Sequence, residues 1–441
     1  MTNQNPLAAE TLTASSEIKF GFYNNNNKKP EQHEAWHQSW SDFSAGEIWS
    51  AIEKICFYIK DDKEQNLVYE RNETGIYFRL FQGSAQLAGS FDGEQFYAKS
   101  IITKLEKTSP VIMRRLLDRN QRLLFSRIAL DGDYIVAMMN FPLNMLNPSI
   151  IYSGMQELLL LADELDDSLA QLFGQAVAYT GNDLKQAVPE QEAATKYQFF
   201  KKWIAEAQEH IKAANRSDLQ TVGVYIPLTL VHRIQYLCSP KGMLEEKLRN
   251  INKAYWENVQ TNKLNVAGIY QKLAQLVQEL DQIPETEFKE CLYRTRDSYS
   301  SRGTMGQKET GDIINHSVAE TRDIFTRSFA GHAFYSLEFA LGNLIYDFNL
   351  PYILVELYHL QMQALHPEFF AALGLPTNIF KEDGNTLNVE WIKESLQSLI
   401  DKNKALFSEI VFDESLIDYK DAYSFCLSLA IASEKLIHTL N

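Results

Sequence analysis

The spacing of apolar and polar positions changes several times along the chain, and the first changes predict a region of mixed helices and strands. A first helix is indicated by isoleucines that recur every three or four positions, at Ile48, Ile52, Ile55 and Ile59. Strand-like segments follow this helix. They are predicted over residues 67–70, 76–81 and 86–102, and a turn at Asp92-Gly93 is expected within the last of them.

A short helix, a hairpin and a long helix complete this region. The short helix is predicted to start at Ser109-Pro110, with the serine as N-cap and the proline in the first helical position. The stretch LLFSRIALDGDYIVAMMNF predicts a hairpin in which Asp131-Gly132 supplies the positive φ angles of a two-residue turn. The long helix begins at Asn147-Pro148, and its apolar positions form one continuous stripe.

Beyond this region the pattern becomes helical almost throughout. A polar stretch with weak periodicity predicts a linker over residues 176–196. The Gly-, Ser- and Thr-rich stretch 297–312 predicts a mobile loop. Apolar spacing of three and four predicts helices from residue 197 onward and over residues 227–238, 241–262, 264–281, 284–296, 313–347, 351–365, 388–408 and 415–439.

The predicted fold class is α+β, and the predicted organisation has four parts. Residues 1–44 are expected to be a flexible N-terminal tail, because their stretch YNNNNKKP is of low complexity and offers little to bury. An α+β domain is predicted over residues 45–175, and the linker over 176–196 follows it. An all-α helical domain is predicted over residues 197–441.

The α+β region resembles a known family. In YbjN-like proteins, and in the type III secretion chaperones that share their fold, a leucine-rich helix ends near an asparagine, and a strand, a turn and an apolar strand precede a proline-started helix. Residues 45–173 resemble this order, and the matching positions are Leu117, Asn120, Asp131-Gly132, Phe141-Pro142-Leu143 and Pro148. The resemblance implies a secretion-chaperone-like domain that is not an enzyme and that binds segments of other proteins, often as a dimer.

Composition and charge exclude several classes of function. The chain has 441 residues, 45% of them hydrophobic, which is typical of a folded protein with more than one domain. Its net charge of −15 disfavours binding to nucleic acid. The N-terminus has no basic and apolar leader, and charges interrupt the apolar stretch 328–375, so a cytoplasmic protein without a membrane partner is predicted. Four widely spaced cysteines suit buried, reduced thiols: Cys56, Cys238, Cys291 and Cys426.

The stretch HEAWH matches the pattern HExxH of zinc hydrolases. On a helix, His33 and His37 would lie one turn apart, and Glu34 would be placed to activate a bound water. However, no third ligand stands at the usual offsets, and the polar stretch NNNNKKPEQ precedes the motif. We therefore predict no metal here. The competing interpretation is a short helix that docks through aromatic residues at helical spacing, namely Trp36, Trp40 and Phe43.

A second candidate metal site lies in the helical region. Glu356 and His359 form an ExxH pair, and Glu338 would supply a further carboxylate, as in di-iron helix bundles. Di-iron bundles use two ExxH pairs, whereas the helical region contains one. A hydrogen bond between the side chains of Glu356 and His359 is the competing interpretation of this spacing. An enzyme or metal-binding protein with a site around these three residues is the alternative function. No catalytic residue and no cofactor are predicted.

The predicted function is non-enzymatic protein binding, by a chaperone-like or scaffold protein. In the stretch DYIVAMMNF nearly every side chain is apolar, so both faces of this strand should be covered. One face would lie on the helices of the same domain, and the other on the helical domain, a second copy of the chain or a segment of a protein partner. The predicted contact residues are Ile135, Ala137 and Met139, which would act through strand addition or groove docking.

Overall fold

The structure is a computed structural model that describes residues 17–24, 28–174, 177–179, 182–214, 220–260, 266–326, 330–375 and 377–440. The fold class is α+β, as predicted, and the chain forms two compact units. Unit 1 contains Lys28–Ala187 and, from much later in the sequence, Tyr293–Ser301. Unit 2 contains Val188–Leu292, residues 302–440 and, from the N-terminal part of the chain, residues 19–24.

The described residues of unit 1 combine four helices with an antiparallel sheet. Its helices are α1 (Pro30–Ser44), α2 (Ile48–Ile59), α3 (Pro110–Asn120) and α4 (Pro148–Phe173). The strands of the sheet are β1 (Leu67–Arg71), β2 (Ile76–Gln82), β3 (Ala85–Phe91), β4 (Gln95–Leu105), β5 (Arg127–Asp131), β6 (Tyr134–Pro142) and β7 (Val177–Tyr179). A separate pair consists of β8 (Gln186–Ala187) and β9 (Tyr293–Arg294). Short 3-10 turns occupy Leu143–Met145 and Asn182–Leu184.

The sheet of unit 1 has the strand order β1-β2-β3-β4-β6-β5, and β7 pairs with the end of β4. Neighbouring strands are antiparallel, and a bulge between Ile101 and Thr103 shifts the register of β4 against β6. Alternate residues of the strands join the stripe of α4 in one hydrophobic core, because successive side chains of a strand point to opposite faces. This core is lined from the α4 side by Ile151, Met155, Leu158, Ala162, Leu165 and Leu169.

The capping and hairpin predictions for unit 1 are confirmed with one small shift. The Ser109 side chain accepts a hydrogen bond from the amide of Val111, and Asn147 caps α4 in the same way. The hairpin between β5 and β6 has a two-residue turn. The turn consists of Gly132 and Asp133, and the positive φ angle lies at Gly132 alone, at 58°.

The prediction of a flexible tail over residues 1–44 is wrong for residues 30–44, which form α1 and pack against α2. The physical reason is a set of hydrogen bonds that local composition does not reveal. The buried Gln32 amide donates to the carbonyl oxygens of Phe57, Tyr58 and Lys60, which the C-terminus of α2 leaves without helical partners. Residues 1–16 and 25–27 lie outside the described part of the chain.

Unit 2 is built from helices. They are α5 (Glu190–Ala213), α6 (Gln220–Cys238), α7 (Gly242–Gln260), α8 (Val266–Asp281), α9 (Glu285–Glu290), α10 (Gln307–Thr326), α11 (Ala330–Asp347), α12 (Tyr352–Leu365), α13 (Pro367–Ala372), α14 (Val389–Asn403) and α15 (Ala422–Ile437). A 3-10 turn covers Glu414–Leu416. The helix predicted over 313–347 is therefore two helices, and the one predicted over 284–296 ends at Glu290.

The predicted linker over residues 176–196 is wrong at both ends. Val177–Tyr179 forms β7 of the sheet in unit 1, and α5 of unit 2 already starts at Glu190. Two buried residues of α5 explain the early start, because Lys196 donates to the carbonyl oxygen of Cys238 and forms an ion pair with Glu192 at 2.8 Å. The boundary between the units falls at Ala187.

Residues 19–24, which we call the docked segment, belong to unit 2 and are held largely by aromatic contacts. The Phe20 ring lies 5.0 Å from the His359 ring and 5.3 Å from the Phe370 ring, measured between centroids. The Gly21 amide donates to the carbonyl oxygen of Tyr236 at 2.8 Å. Gly21 has a φ angle of +68°, and a Cβ atom there would lie 3.1 Å from the Tyr236 ring, so glycine suits this close approach.

No helix in the described part of the chain is both long enough and apolar enough to cross a membrane. The four cysteines are free and buried. Burial raises the pKa of the Cys56 and Cys238 thiols to about 12, so both stay protonated at neutral pH. These thiols are therefore not prepared for nucleophilic chemistry.

Candidate functional site

The segment Tyr293–Ser301, which we call the inserted segment, pairs with unit 1 through its main chain. Its first two residues form β9, which is antiparallel to β8. Further along, Arg296 forms an antiparallel bridge with Gly83, whose amide donates to the Arg296 carbonyl oxygen at 3.0 Å. Gly83 has a φ angle of +55°, and a Cβ atom there would collide with the Asp163 carboxylate. A glycine is therefore required where the inserted segment meets the turn between β2 and β3.

The side chain of Gln82 binds three successive residues of the inserted segment. Its oxygen accepts hydrogen bonds from the main-chain amides of Ser298, at 3.0 Å, and Tyr299, at 2.8 Å. Its amide donates to a carboxylate oxygen of Asp297 at 3.1 Å. Gln82 is only 6% exposed, so these bonds form away from water, where an unmade hydrogen bond is costly. Gln82 therefore fixes the position and direction of the inserted segment.

The side chains of Ser298 and Arg296 also have partners within unit 1. The Ser298 hydroxyl donates to the carbonyl oxygen of Phe81 at 2.6 Å. The guanidinium of Arg296 lies 3.3 Å from the centre of the Phe81 ring, and burial lowers its pKa to about 10. The arginine remains charged at neutral pH, and its contact with the ring is a cation–π interaction.

Tyr299 anchors the end of the inserted segment in an aromatic cluster. Its side chain is only 1% exposed, and its ring meets the ring of Tyr152 edge-on at 5.3 Å. Tyr152 in turn contacts Trp36 and Tyr58. Since Trp36 lies on α1 and Tyr152 on α4, the cluster joins two helices of unit 1 around one residue of the inserted segment.

The prediction of a mobile loop over residues 297–312 is wrong. Residues 297–300 are buried in unit 1, and α10 already begins at Gln307. The stretch RTRDSYS has no apolar periodicity, so its own pattern gave no signal of burial. Its burial depends on partners more than a hundred residues away in sequence, such as Gln82 and Tyr152.

The predicted contact residues are corrected by the structure. Ile135, Ala137 and Met139 are at most 1% exposed and belong to the hydrophobic core of unit 1, together with residues of α4. All three therefore point toward the helices of their own unit, because residues two apart on a strand share a face. The opposite face of β6 carries Val136 and Met138.

His33 and His37 lie on the exposed side of α1, one turn apart as predicted. The residues that point inward are Gln32, Ala35 and Ser39, while Trp36 and Phe43 pack against the core and Trp40 is exposed. Partial burial lowers the pKa of His33, whose ring lies 6.2 Å from that of Tyr58. No group of three His, Cys, Asp or Glu side chains within the described residues is arranged to hold a metal ion.

Glu338, Glu356 and His359 do not converge on one site. Glu356 binds Lys402 and Asn403 on α14. One ring nitrogen of His359 is 3.1 Å from the Tyr236 hydroxyl, and burial lowers the pKa of His359 to about 4. The predicted hydrogen bond between Glu356 and His359 is thus replaced by separate partners for each.

Glu338 instead forms a buried pair with Arg233, which sequence reasoning did not single out. The two are joined by two hydrogen bonds, from Arg233 Nε at 2.9 Å and from the terminal nitrogen at 2.8 Å. Burial alone would raise the pKa of Glu338, but the charge and hydrogen bonds of Arg233 outweigh it and lower the pKa to about 2. His366 adds a contact of 3.4 Å to the same carboxylate.

This buried pair lines a pocket of about 440 Å³ in unit 2, which we call the unit 2 pocket. Its walls carry aromatic side chains, and its charged lining residues come from four helices and from the residue between α12 and α13. The aromatic residues are Phe199, Trp203, Phe334, Tyr335 and Phe369, and the charged or titratable ones are Lys202, Glu206, Arg233, Glu338, His366 and Glu368. The pocket therefore has the size and the mixed lining of a small-molecule site.

Comparison of the chain with protein-family models gives no match, and comparison with curated proteins gives no significant match. The resemblance to YbjN-like proteins and type III secretion chaperones therefore stays a prediction. The function of this chain is accordingly inferred from its own geometry, above all from the way in which unit 1 holds the inserted segment.

Proposed function

We propose that this chain is a non-enzymatic protein-binding protein, and that unit 1 binds extended segments of protein at the site that holds residues 293–301. The observation that carries the proposal is the recognition of the inserted segment by main-chain pairing and by the side chain of Gln82. A site that contacts mainly the backbone binds extended segments of different sequence. Its contacts with side chains then determine which segments bind best.

The contacts also define the segments that would fit. Main-chain pairing with β8 at Tyr293 and Arg294, and with Gly83 at Arg296, requires an extended backbone over these positions. The Phe81 ring favours an arginine at this position, and the aromatic cluster around Tyr152 favours an aromatic residue three positions later. The proposed partner therefore presents an extended polar segment with an arginine and a tyrosine at this spacing.

The alternative of an enzyme or metal site in the helical region gains no support from the described residues. Glu338 is committed to Arg233, while Glu356 and His359 have partners of their own. The alternative of a zinc hydrolase at HEAWH gains no support either, because no group of metal ligands lies around His33 and His37 within the described residues. We therefore propose no second function.

The proposal can be tested with the full chain and a peptide of residues 291–303. The substitution Tyr299→Ala weakens the hold on the inserted segment and should lower the melting temperature of the chain. If the site binds segments from outside, the added wild-type peptide should raise the melting temperature of this variant, because a ligand that binds only the folded state stabilises it. The wild-type chain should not respond, since its own segment occupies the site.

A second substitution controls for the binding site itself. Adding Gln82→Ala to Tyr299→Ala should abolish the effect of the peptide, and a peptide of scrambled sequence should have none. A milder variant, Ser298→Ala, provides the same test if Tyr299→Ala unfolds the chain. Unchanged melting of both variants at millimolar peptide, or equal stabilisation with and without Gln82, would contradict the proposal.

A further inference from the structure

We propose that the unit 2 pocket binds a small organic cation, namely a primary amine attached to an apolar or aromatic body. This inference is independent of segment binding by unit 1, because the pocket is lined by residues of unit 2. It rests on the volume of the pocket, on its aromatic walls and on its charged lining, in which carboxylates outnumber cations by one.

The volume and walls of the pocket fit a compact molecule with a ring. About 440 Å³ lies within the range of small-ligand sites in proteins. Five aromatic residues line the pocket, and they come from three different helices and so surround the space from several sides. Such walls bind the body of an apolar ligand, and their ring faces also attract a positive charge.

Among the charged side chains that line the pocket, carboxylates outnumber cations by one. Arg233 is neutralised by Glu338, through a bidentate pair whose members are 9% and 2% exposed in their side chains. Lys202 is paired with Glu368 at 2.6 Å at the exposed edge of the pocket. Glu206, one turn along α5 from Lys202, lines the same space and interacts electrostatically with Lys202 and Arg233, but it forms no direct ion pair with any described residue.

His366 does not compensate for this charge. Burial lowers the pKa of His366, and the charge of Arg233 lowers it further, so its imidazole is neutral at pH 7. Three carboxylates therefore face two cations, and the pocket has a net charge of −1. An ammonium group placed beside Glu206 would neutralise it, whereas an anionic ligand would add to the excess of negative charge.

The buried pair also explains how the pocket keeps its shape. Arg233 lies between Trp203 and Tyr335, with its guanidinium carbon 5.9 Å and 6.0 Å from the two ring centres. Because Glu338 holds the guanidinium by two bonds, the two aromatic walls are fixed before a ligand arrives. A site that is formed in advance loses less entropy when it binds.

The test is calorimetry of the full chain with two probes of nearly equal size, 2-phenylethylamine and phenylacetate. The amine should bind with a Kd of roughly 0.1–1 mM, which is the affinity expected of so few atoms. Phenylacetate, which carries the opposite charge, should not bind measurably. Binding of phenylacetate as tight as that of the amine, or the absence of amine binding at 10 mM (about tenfold above the weaker limit), would overturn the proposal.

Three variants test whether the amine binds in the pocket and whether negative charge there strengthens its binding. Glu206→Gln should weaken amine binding about tenfold, as expected for one lost charge contact in a partly buried site. Glu209→Gln, a matched change on the exposed face of the same helix, should leave it unchanged. Lys202→Met removes a competing cation and should strengthen amine binding.

The opposite signs expected for Glu206→Gln and Lys202→Met protect the test from a general loss of structure, which would weaken binding in both. Equal affinity in wild type and Glu206→Gln would overturn the proposal, as would weaker amine binding in Lys202→Met. Melting temperatures of all three variants should stay close to that of wild type, because the replaced side chains are exposed or half-buried.

Discussion

Each unit of this chain holds a short segment that lies far from the rest of the unit in sequence, and the two segments are held by different interactions. The inserted segment in unit 1 is polar, and its hold depends on hydrogen bonds to Gln82, Gly83 and Phe81. The docked segment in unit 2 presents Phe20 and Phe22, which pack against aromatic and histidine rings. The hold on the inserted segment is thus mainly directional, whereas the docked segment combines buried aromatic area with hydrogen bonds at Lys19, Gly21 and Asn24.

The difference predicts how each contact responds to change. A buried hydrogen bond that loses one partner leaves the other unsatisfied. Replacement of a single polar group therefore weakens a polar contact strongly. An apolar contact fails gradually, roughly in proportion to the area that is removed. The contact with the inserted segment should therefore tolerate little change at Gln82, and the docked segment should tolerate substitution by other apolar side chains.

The largest effect should come from Gln82→Leu. The leucine has a similar volume but removes the acceptor of two buried main-chain amides and the donor to Asp297, which should cost about 3–5 kcal/mol of the free energy of unfolding. Urea unfolding followed by circular dichroism measures this loss. The control is Gln95→Leu, at an exposed position of β4, which should change the stability by less than about 0.5 kcal/mol. Similar losses for both variants would mean that the hydrogen bonds of Gln82 are not decisive.

Acid should weaken the docked segment through His359. Burial lowers the pKa of His359 to about 4, below its usual value of about 6.5, so the unfolded chain takes up the proton first. Stability is therefore complete above about pH 6.5 and decreases as the pH falls toward 4, by about 2–3 kcal/mol at pH 4.5. Urea unfolding at pH 7.5 and 4.5 should show a smaller acid loss in His359→Gln than in wild type. An equal acid loss in both would exclude His359 as the cause.

Phe20 should show the graded response of an apolar contact. Phe20→Ala removes most of a half-buried ring and should cost about 2 kcal/mol, whereas Phe20→Leu keeps most of the buried area and should cost less than about 1 kcal/mol. The difference between the two can be measured by urea unfolding. If Phe20→Leu is as damaging as Phe20→Ala, ring geometry rather than buried area holds the docked segment.

The smallest effect should come from Gly21→Ala. The positive φ angle and the nearby Tyr236 ring both oppose a Cβ atom, and together they should cost about 1–2 kcal/mol. Gly46→Ala is the matched control, since Gly46 has a φ angle of +84° but no atom within 4 Å of the place that an added methyl group would occupy. Thermal unfolding should show a larger loss of stability for Gly21→Ala than for Gly46→Ala. Equal losses would mean that the Tyr236 ring moves aside at little cost in free energy.

Much of the fold could be predicted from the sequence where burial is apolar and periodic. The isoleucines of α2, the hairpin of β5 and β6, and the caps at Ser109 and Asn147 all express local chemistry that needs no distant partner. The strand residues Ile135, Ala137 and Met139 were correctly expected to be buried, but a continuous apolar stretch does not say which neighbour covers each face. Here the cover is α4 of the same unit.

The candidate sites were harder to predict, because they depend on polar residues that meet across long sequence distances. Glu338 attracted attention as a carboxylate in an apolar helix, but its partner Arg233 lies 105 residues earlier in the chain. The inserted segment and Gln82 are more than 200 residues apart. A polar residue looks the same in sequence whether it faces water or a buried partner, so only the folded structure distinguishes the two.

The late position of the inserted segment also affects how the protein is made. A ribosome completes β8 of unit 1 more than a hundred residues before it adds Tyr299, which at common rates of translation takes roughly 5–25 s. Throughout this interval the nascent unit 1 lacks the residues that cover the ring of Tyr152 and bind the side chain of Gln82. The growing chain therefore passes through a long stage in which a chaperone, or a partner with a suitable segment, can reach the open site before the chain closes it.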